Sequence, residues 1–543
     1  MAQIENLDDE NGQPENQQRE SKELLGVIYG IGMNVNTIIG VGIFTTPGIV
    51  LNLIKKPYVI LLLWLAGGIV SLFGSLIYAE YGALHRDNGG EKIYLDKAYP
   101  SPPFMASYLF SFMFIFVIRP VIICAVLQSA AQYAWFMIFG ESPLDGKEKI
   151  DSSLIGWNNK FRPYWVLKLV AILFLLLITG YHLLNRRLAN KINHTLAITK
   201  LVMIVVIAFS GISKYNSGNW NKPIDDPSPY SYPTAILNIL FSYNGWNTLN
   251  YSLDEFRNPQ KKLILSNIIS IVIVIISYIL VNIAFISAAS PSDFVPEKRD
   301  EVITATFFRK VFVNDTHVTV ARIFSFFVVL SAIGTAATNI WSGSRVIVSA
   351  AESNFFPIIS PQLKKWKERT MIQEGQGGKK LHYIEYTPVN ALLAQLGWCI
   401  FIILFIGASI PEDSFVLFSS ISTFSYWIFF IATSWGLVRT RKRSSIVPPF
   451  KVPRIIIYLF EISGLLIIIL SFFPDKDPTD PIGSKRPYMI HISFIWVSII
   501  FLFVGFACWY FLFRNQTTTT AIDTTSTHTS DTTDTDTTEK EES

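Results

Sequence analysis

Residues 34–48 read Asn34-Val35-Asn36-Thr37-Ile38-Ile39-Gly40-Val41-Gly42-Ile43-Phe44-Thr45-Thr46-Pro47-Gly48. The stretch sits inside an apolar run, near 24–51, that is long enough to cross a bilayer. Its glycines make it a poor continuous helix, because glycine in a helix interior costs about 1 kcal/mol relative to alanine. A second run, near 231–255, carries a similar interruption, Phe241-Ser242-Tyr243-Asn244-Gly245-Trp246-Asn247. The two runs are the first and sixth apolar segments, so the chain enters the second in the opposite direction, the pattern of inverted repeats that share a binding site at the bilayer midplane. Lipid cannot satisfy free backbone groups, and an unwound stretch persists in it only where protein, water or a ligand pairs with it. The N–H groups that open the helix after Gly40-Val41-Gly42 suit a carboxylate. The carbonyls that end the half-helices near Thr37-Ile38 and Phe241-Ser242 suit an ammonium group. Together they describe a socket for a zwitterionic α-amino acid. The same glycines also suit close helix packing, as small residues do in membranes.

The rest of the chain agrees with a membrane setting. Of 543 residues, 50% are hydrophobic and 16% charged, against roughly 25% charged in soluble domains, and the mean hydropathy is +0.37. Twelve apolar segments lie near 24–51, 58–82, 104–138, 164–184, 193–213, 231–255, 263–289, 318–351, 387–407, 414–438, 453–473 and 488–513. The fold class is therefore an all-α membrane protein of twelve transmembrane helices, with the first and sixth broken. The polar ends, 1–23 and 514–543, bury too little apolar surface to fold and are expected to be disordered. Lys and Arg number 25 on one set of alternate connections and 15 on the other, with Arg186-Arg187 and Arg439 to Arg443 on the richer side. The positive-inside rule then puts both termini in the cytoplasm. Asn314-Asp315-Thr316 is a glycosylation sequon on the outer side.

Charge balance, 45 basic against 41 acidic residues, argues against nucleic acid as a partner. Cys124, Cys399 and Cys508 all lie in apolar runs, and the seven histidines form no metal spacing, so no metal and no cofactor is expected. No cluster of His, Asp or Cys in the spans points to an enzyme.

Several stretches carry a resemblance. Thr37-Ile38-Ile39-Gly40-Val41-Gly42-Ile43-Phe44 looks like the first-helix signature of the amino acid–polyamine–organocation superfamily, and Leu240 to Asn247 resembles the sixth helix of its L-type amino acid transporter branch. Tyr78-Ala79-Glu80-Tyr81-Gly82, Ile118-Arg119-Pro120, Asn258-Pro259 and the run Ser331 to Arg345 are further likenesses. Within the branch the chain is most similar to fungal high-affinity methionine permeases. The resemblance covers about 22–513 and implies five helices plus an inverted five, in repeats 24–213 and 231–438, with two additional helices in 453–513.

It also implies site residues. Backbone at Ile38, Ile39, Gly40, Val41 and Gly42 would hold substrate from the first helix, and Phe241, Ser242 and Asn244 from the sixth. Phe241 matches an aromatic gate, and Asn247 a polar residue beside the pocket. Val41 stands where the family often has serine, and Asn244 where it has a small glycine, so the substrate subsite departs from the pattern. Lys200 matches a fifth-helix lysine whose ammonium takes the place of sodium in relatives, which points to the proton as coupling ion; the alternatives are a fixed strut between the first and eighth helices and a side chain that snorkels to the cytoplasmic boundary. Thr335 and Asn339, one turn apart, share a face that can look into the cavity or make interhelical hydrogen bonds. Arg119 either pairs with a carboxylate such as Glu80 or lines an outer vestibule, and Arg345 snorkels or makes a cytoplasmic gate contact.

The function so implied is a plasma-membrane permease that imports large neutral amino acids, methionine first, by proton-coupled alternating access. An exchanger of the L-type kind and a nutrient-sensing receptor stay open as alternatives. Residues 139–163 contain no cysteine, so no disulfide-tethered heavy chain is expected as a partner; the partners are the amino acid, the proton and the lipid bilayer.

Overall fold

The computed structural model describes residues 26–85, 87–140, 162–184, 186–213, 215–221, 227, 229, 231–251, 253, 259–288, 307, 311, 317–374, 380–406, 411–443, 448, 450–473 and 486–529. Helices α1 (Val27–Ile38) and α2 (Gly42–Ile54) lead into α3 (Pro57–Leu84) and the short α4 (Glu91–Ala98). Next, α5 (Met105–Met113) passes through a π-helical turn, Phe114–Ile118, into α6 (Arg119–Phe139). Then come α7 (Arg162–Leu184), α8 (Arg186–Ile212), α9 (Ser217–Asn221) and α10 (Ser231–Ser242), which gives way to turns and a 3₁₀ segment, Thr248–Tyr251. The second half holds α11 (Pro259–Ala288), α12 (His317–Glu352), α13 (Ser360–Leu363), strands β1 (Lys367–Glu374) and β2 (Lys380–Thr387), α14 (Val389–Phe401), α15 (Pro411–Arg443), α16 (Arg454–Ser471) and α17 (Arg486–Thr529).

Among the described residues ten helices are long and apolar enough to cross a membrane, or eleven if the bent pair α1 and α2 is one span. The sequence suggests twelve. The difference lies in the sixth segment, whose helix α10 stops at Ser242 after 12 residues, well short of the ~20 a span needs. Three further features depart from the expectation. The connection before α14 is not featureless: β1 and β2 pair antiparallel, from Lys367 opposite Thr387 to Glu374 opposite Lys380. Thr370, Ile372, Tyr383, Ile384 and Tyr386 give that segment the β-branched and aromatic content of strands, so the fold is helical with one small hairpin rather than purely α. Residues 186–192, expected in the connection between the fourth and fifth segments, belong to helix α8, which begins at Arg186. Finally, α17 continues past Arg514 to Thr529; adding turns to a helix already formed needs no new nucleus.

Side-chain chemistry explains the local geometry. Pro120 has no N–H and cannot bond the carbonyl of Phe116, and the helix widens into the π turn just there. Trp398 Nε1 donates to that freed carbonyl at 2.8 Å, which ties α14 to the bend. Helix α16 shows how lipid is met: Ile455, Ile462, Leu465 and Ile469 are exposed, while Ile457, Phe460, Gly464 and Ile467 are buried. The two sets lie on opposite faces of one helix, so the outward stripe is solvated by acyl chains. Inside, α11 packs on α1, α3 and α8, α12 on α6, α15 on α6, and α10 on α2. These contacts bring the two interruptions side by side.

Candidate functional site

Between α1 and α2 the chain bends by 43° at a break of three residues. Glycine is needed there for a spatial reason. A Cβ on Gly40 would stand 2.9 Å from Thr335 Oγ1, and one on Gly42 would stand 3.0 Å from the Cα of Ser242. In the turn after α10, Gly245 has φ +114, and a Cβ there would be 2.6 Å from Thr37 Cγ2. The glycines therefore serve close packing and interruption at once.

The first helical donors of α2 are Phe44 and Thr45, both to the Val41 carbonyl, at 3.0 and 3.1 Å. The N–H groups of Gly42 and Ile43 precede that ladder and have no acceptor within the helix. The carbonyls behave differently from expectation. Those of Ile38 and Ser242 are not free: the Tyr278 hydroxyl of α11 lies 2.9 Å from the first and 2.7 Å from the second. The Ile39 carbonyl accepts from Thr335 at 3.2 Å and Ser331 at 3.3 Å. Buried in protein rather than lipid, the broken backbone is satisfied mainly by side chains of α11 and α12, the nearest elements with hydroxyls aimed at it.

A cavity of about 20 Å³ lies where the breaks meet. Of the residues expected from sequence, Ile38, Gly40, Val41, Gly42, Phe241, Ser242, Asn244, Thr335 and Asn339 line it. Ile39 is buried beside it without lining it, and Asn247 points elsewhere, donating to Glu91 Oε1 at 2.6 Å. Thr37, Ile122 and Val126 are lining residues that sequence reasoning missed. Ile122 and Val126 are four apart on α6 and share a face, but from Val121 to Leu127 the helix is apolar all round and nothing in that stretch marks which face looks inward. The space holds roughly one water, too little for anything of amino acid size. Phe241, the expected gate, meets Phe415 of α15 edge-on at 5.4 Å between ring centroids.

Lys200 is 1% exposed, and its Nζ donates to the Asn36 carbonyl at 2.6 Å and to Thr335 Oγ1 at 3.0 Å. It joins α8 to α1 and α12, a geometry shared by the strut and the ion-substitute readings. Arg119 corrects the sequence reading. Glu80 belongs instead to Arg441 of α15, whose Nε donates to Oε1 at 2.7 Å, and to the Val452 N–H, 2.7 Å from Oε2. Glu80 lies near the last turn of α3, where the basic end of α15 reaches it. Arg119 bonds Asn339 Oδ1 and, at 3.3 Å, the Tyr426 hydroxyl, and its guanidinium lies 4.5 Å from the Phe114 ring centroid. It thus stands directly behind the cavity. Arg345 is buried, 4.8 Å from the ring centroids of both Trp341 and Trp366.

A second small cavity, bordered by Tyr29, His182, His194 and Trp341, lies among α1, α7, α8 and α12. The sequon at Asn314, the connection 141–161 and the ends 1–25 and 530–543 lie outside the described residues.

The model of the amino acid permease family matches residues 25–499. The b(0,+)-type amino acid transporter 1 of Homo sapiens is 28% identical over 490 residues, 88% of this chain and 87% of the relative. The high-affinity methionine permease of Saccharomyces cerevisiae is 23% identical over 512 residues, covering 90% of this chain and 79% of the relative. The large neutral amino acids transporter small subunit 2 of Mus musculus is 25% identical over 459 residues, covering 83% and 76%. The fungal methionine permease is thus the more distant of these by identity. These relatives are transporters and permeases rather than enzymes. With a family model spanning most of its length, the chain belongs to the amino acid permease family.

Proposed function

We propose that this permease imports bulky neutral amino acids, methionine first, across the plasma membrane by proton-coupled alternating access, with both termini cytoplasmic. Its scaffold on this reading is the five-plus-five inverted repeat of 24–213 and 231–438, plus two helices. The observation that carries the proposal is the cavity where the first and sixth segments are both interrupted. The N–H groups of Gly42 and Ile43 at the start of α2 offer partial positive charge to a carboxylate. Carbonyl oxygens have two lone pairs, so those of Ile38 and Ser242, which share the one proton of the Tyr278 hydroxyl, keep capacity for an ammonium group. Ile122, Val126 and Phe241 supply an apolar wall, and a thioether is favoured beside an aromatic ring. The methionine and large neutral amino acid transporters among the relatives support the same substrate class.

Lys200 supports the proton over sodium, because its ammonium already bonds the Asn36 carbonyl and would repel a metal cation beside it. The test is uptake of radiolabelled methionine into sealed vesicles holding the purified protein, with competing unlabelled amino acids and with either a pH or a sodium gradient. Accumulation driven by the pH gradient and blocked by large neutral amino acids is expected. Accumulation driven by sodium and indifferent to pH would contradict the reading, and counterflow without net uptake would make the protein an exchanger. Gly42→Leu should abolish methionine binding, since even one carbon at this position meets the backbone of Ser242; unchanged affinity would count against the site.

A further inference from the structure

Glu91 opens the short helix α4, outside the spans, yet it is wholly buried. Among the described residues no cation pairs with it. Its Oε1 accepts from Asn247 Nδ2 in the turn after α10, and its Oε2 has no hydrogen-bond partner. The same Asn247 amide donates to the Tyr251 hydroxyl at 2.9 Å; that hydroxyl lies 3.1 Å from the hydroxyl of Tyr426, which accepts from Arg119 at 3.3 Å. Arg119 in turn bonds Asn339, and Asn339 lines the cavity. An unbroken chain of polar contacts thus runs from a buried acid to the proposed substrate site, passing through the sixth-segment interruption.

The groups that face Glu91 are Tyr78 from α3, Tyr94 on its own helix, Tyr251 after the interruption and Tyr426 from α15, with Arg119 of α6 reaching it through the two hydroxyls. All four nearest titratable neighbours are phenols, neutral at physiological pH. Burial raises the Glu91 carboxyl above the usual carboxylate range, opposed by the hydrogen bonds it accepts. Arg119 is permanently charged and cannot pass a proton, so the chain transmits charge and geometry rather than the proton itself.

We propose that Glu91 is a proton-binding residue thermodynamically linked to the substrate cavity, taking up a proton when an amino acid binds. The sign follows from the contacts. Through the Tyr426 and Tyr251 hydroxyls, Arg119 favours the ionised form of Glu91. An amino acid brings its own carboxylate into the cavity that Asn339 lines, and that negative charge draws the Arg119 guanidinium toward the cavity and away from the Tyr426 hydroxyl, so the support weakens and the Glu91 carboxylate gains a proton from solution at Oε2. Linkage is reciprocal: lower pH then tightens substrate binding. Joint binding of substrate and proton is what a symporter requires, and the inference rests on the proton-coupled reading above.

The experiment is methionine binding to the full-length protein in detergent, in weakly buffered solution with a pH indicator, alongside methionine affinity at a series of pH values. The wild type should take up protons on binding, with affinity that weakens as pH rises. Glu91→Gln, which keeps the hydrogen bond from Asn247, should bind methionine with an affinity independent of pH and with loss of proton uptake. Tyr251→Phe, which cuts the chain but leaves the acid, should show the same loss, so the conclusion does not hang on one variant. Wild-type binding without proton exchange overturns proton coupling and this proposal together. Proton uptake that persists undiminished in both variants overturns the assignment to Glu91 and leaves proton coupling standing.

Discussion

Tyr278 holds together the two interruptions with a single hydroxyl, which lies within bonding distance of the Ile38 and Ser242 carbonyls. Removing it takes away the one donor that two buried carbonyls share. Tyr278→Phe should therefore lower stability by about 1–2 kcal/mol, the upper part of the range for hydrogen bonds inside membrane proteins, as read from thermal unfolding in detergent; an unchanged midpoint would show that the hydroxyl does not tie the breaks. At this scale the sequence is legible where a residue is costly. Gly40 and Gly42 stand out because glycine inside a span must be compensated, and Lys200 because an ammonium in lipid must be paired. Tyr278 is silent in the sequence, since a tyrosine within Ile-Ile-Ser-Tyr-Ile-Leu announces no partner. Ile122 and Val126 are silent for a related reason: an apolar side chain suits lipid and an inner wall equally well.

At the scale of elements, the joints are made by a few buried polar groups whose partners are far away in sequence. The bidentate contact of Arg441 with Glu80 spans 361 residues and locks the end of α3 to the end of α15, with side-chain exposures of 10% and 0%. Arg441→Met would leave the Glu80 carboxylate buried beside only one N–H donor, at a cost of about 3–5 kcal/mol. Adding Glu80→Gln should restore most of that loss in a thermal melt; failure of the double variant to recover would mean that the pair acts through packing. Of the two roles the sequence offers Arg119, pairing with a carboxylate such as Glu80 is the one the structure does not show, because two charges in different spans carry no sequence signal of their distance. By contrast, the bend at Phe114–Ile118 follows from Ile118-Arg119-Pro120 itself, since a missing N–H must free the carbonyl one turn earlier. The short helix of α4 and the hairpin of β1 and β2 lay in connections read for charge alone.

Across the whole molecule, hydropathy located the spans well, because lipid imposes one uniform demand on every helix that crosses it. It gives one span more than the long apolar helices found among the described residues, since helix α10 of the sixth segment ends at Ser242. What composition could not supply was the conformation: on the proposed alternating-access reading, a cavity with room for about one water is the closed state, with Phe241 against Phe415 and Lys200 tying α8 to α1 and α12. Opening must loosen at least one of these contacts while the bilayer-facing helices stay solvated. The central claim is that the paired interruptions form the amino acid site. Electron cryomicroscopy of the full-length protein with methionine tests it directly. The ligand carboxylate is expected at the N–H groups of Gly42 and Ile43, its ammonium toward the Ile38 and Ser242 carbonyls, and its side chain against Ile122, Val126 and Phe241. Methionine density seated elsewhere, such as the cavity beside His182 and His194, with the space between Gly42 and Ser242 unchanged, would contradict the account.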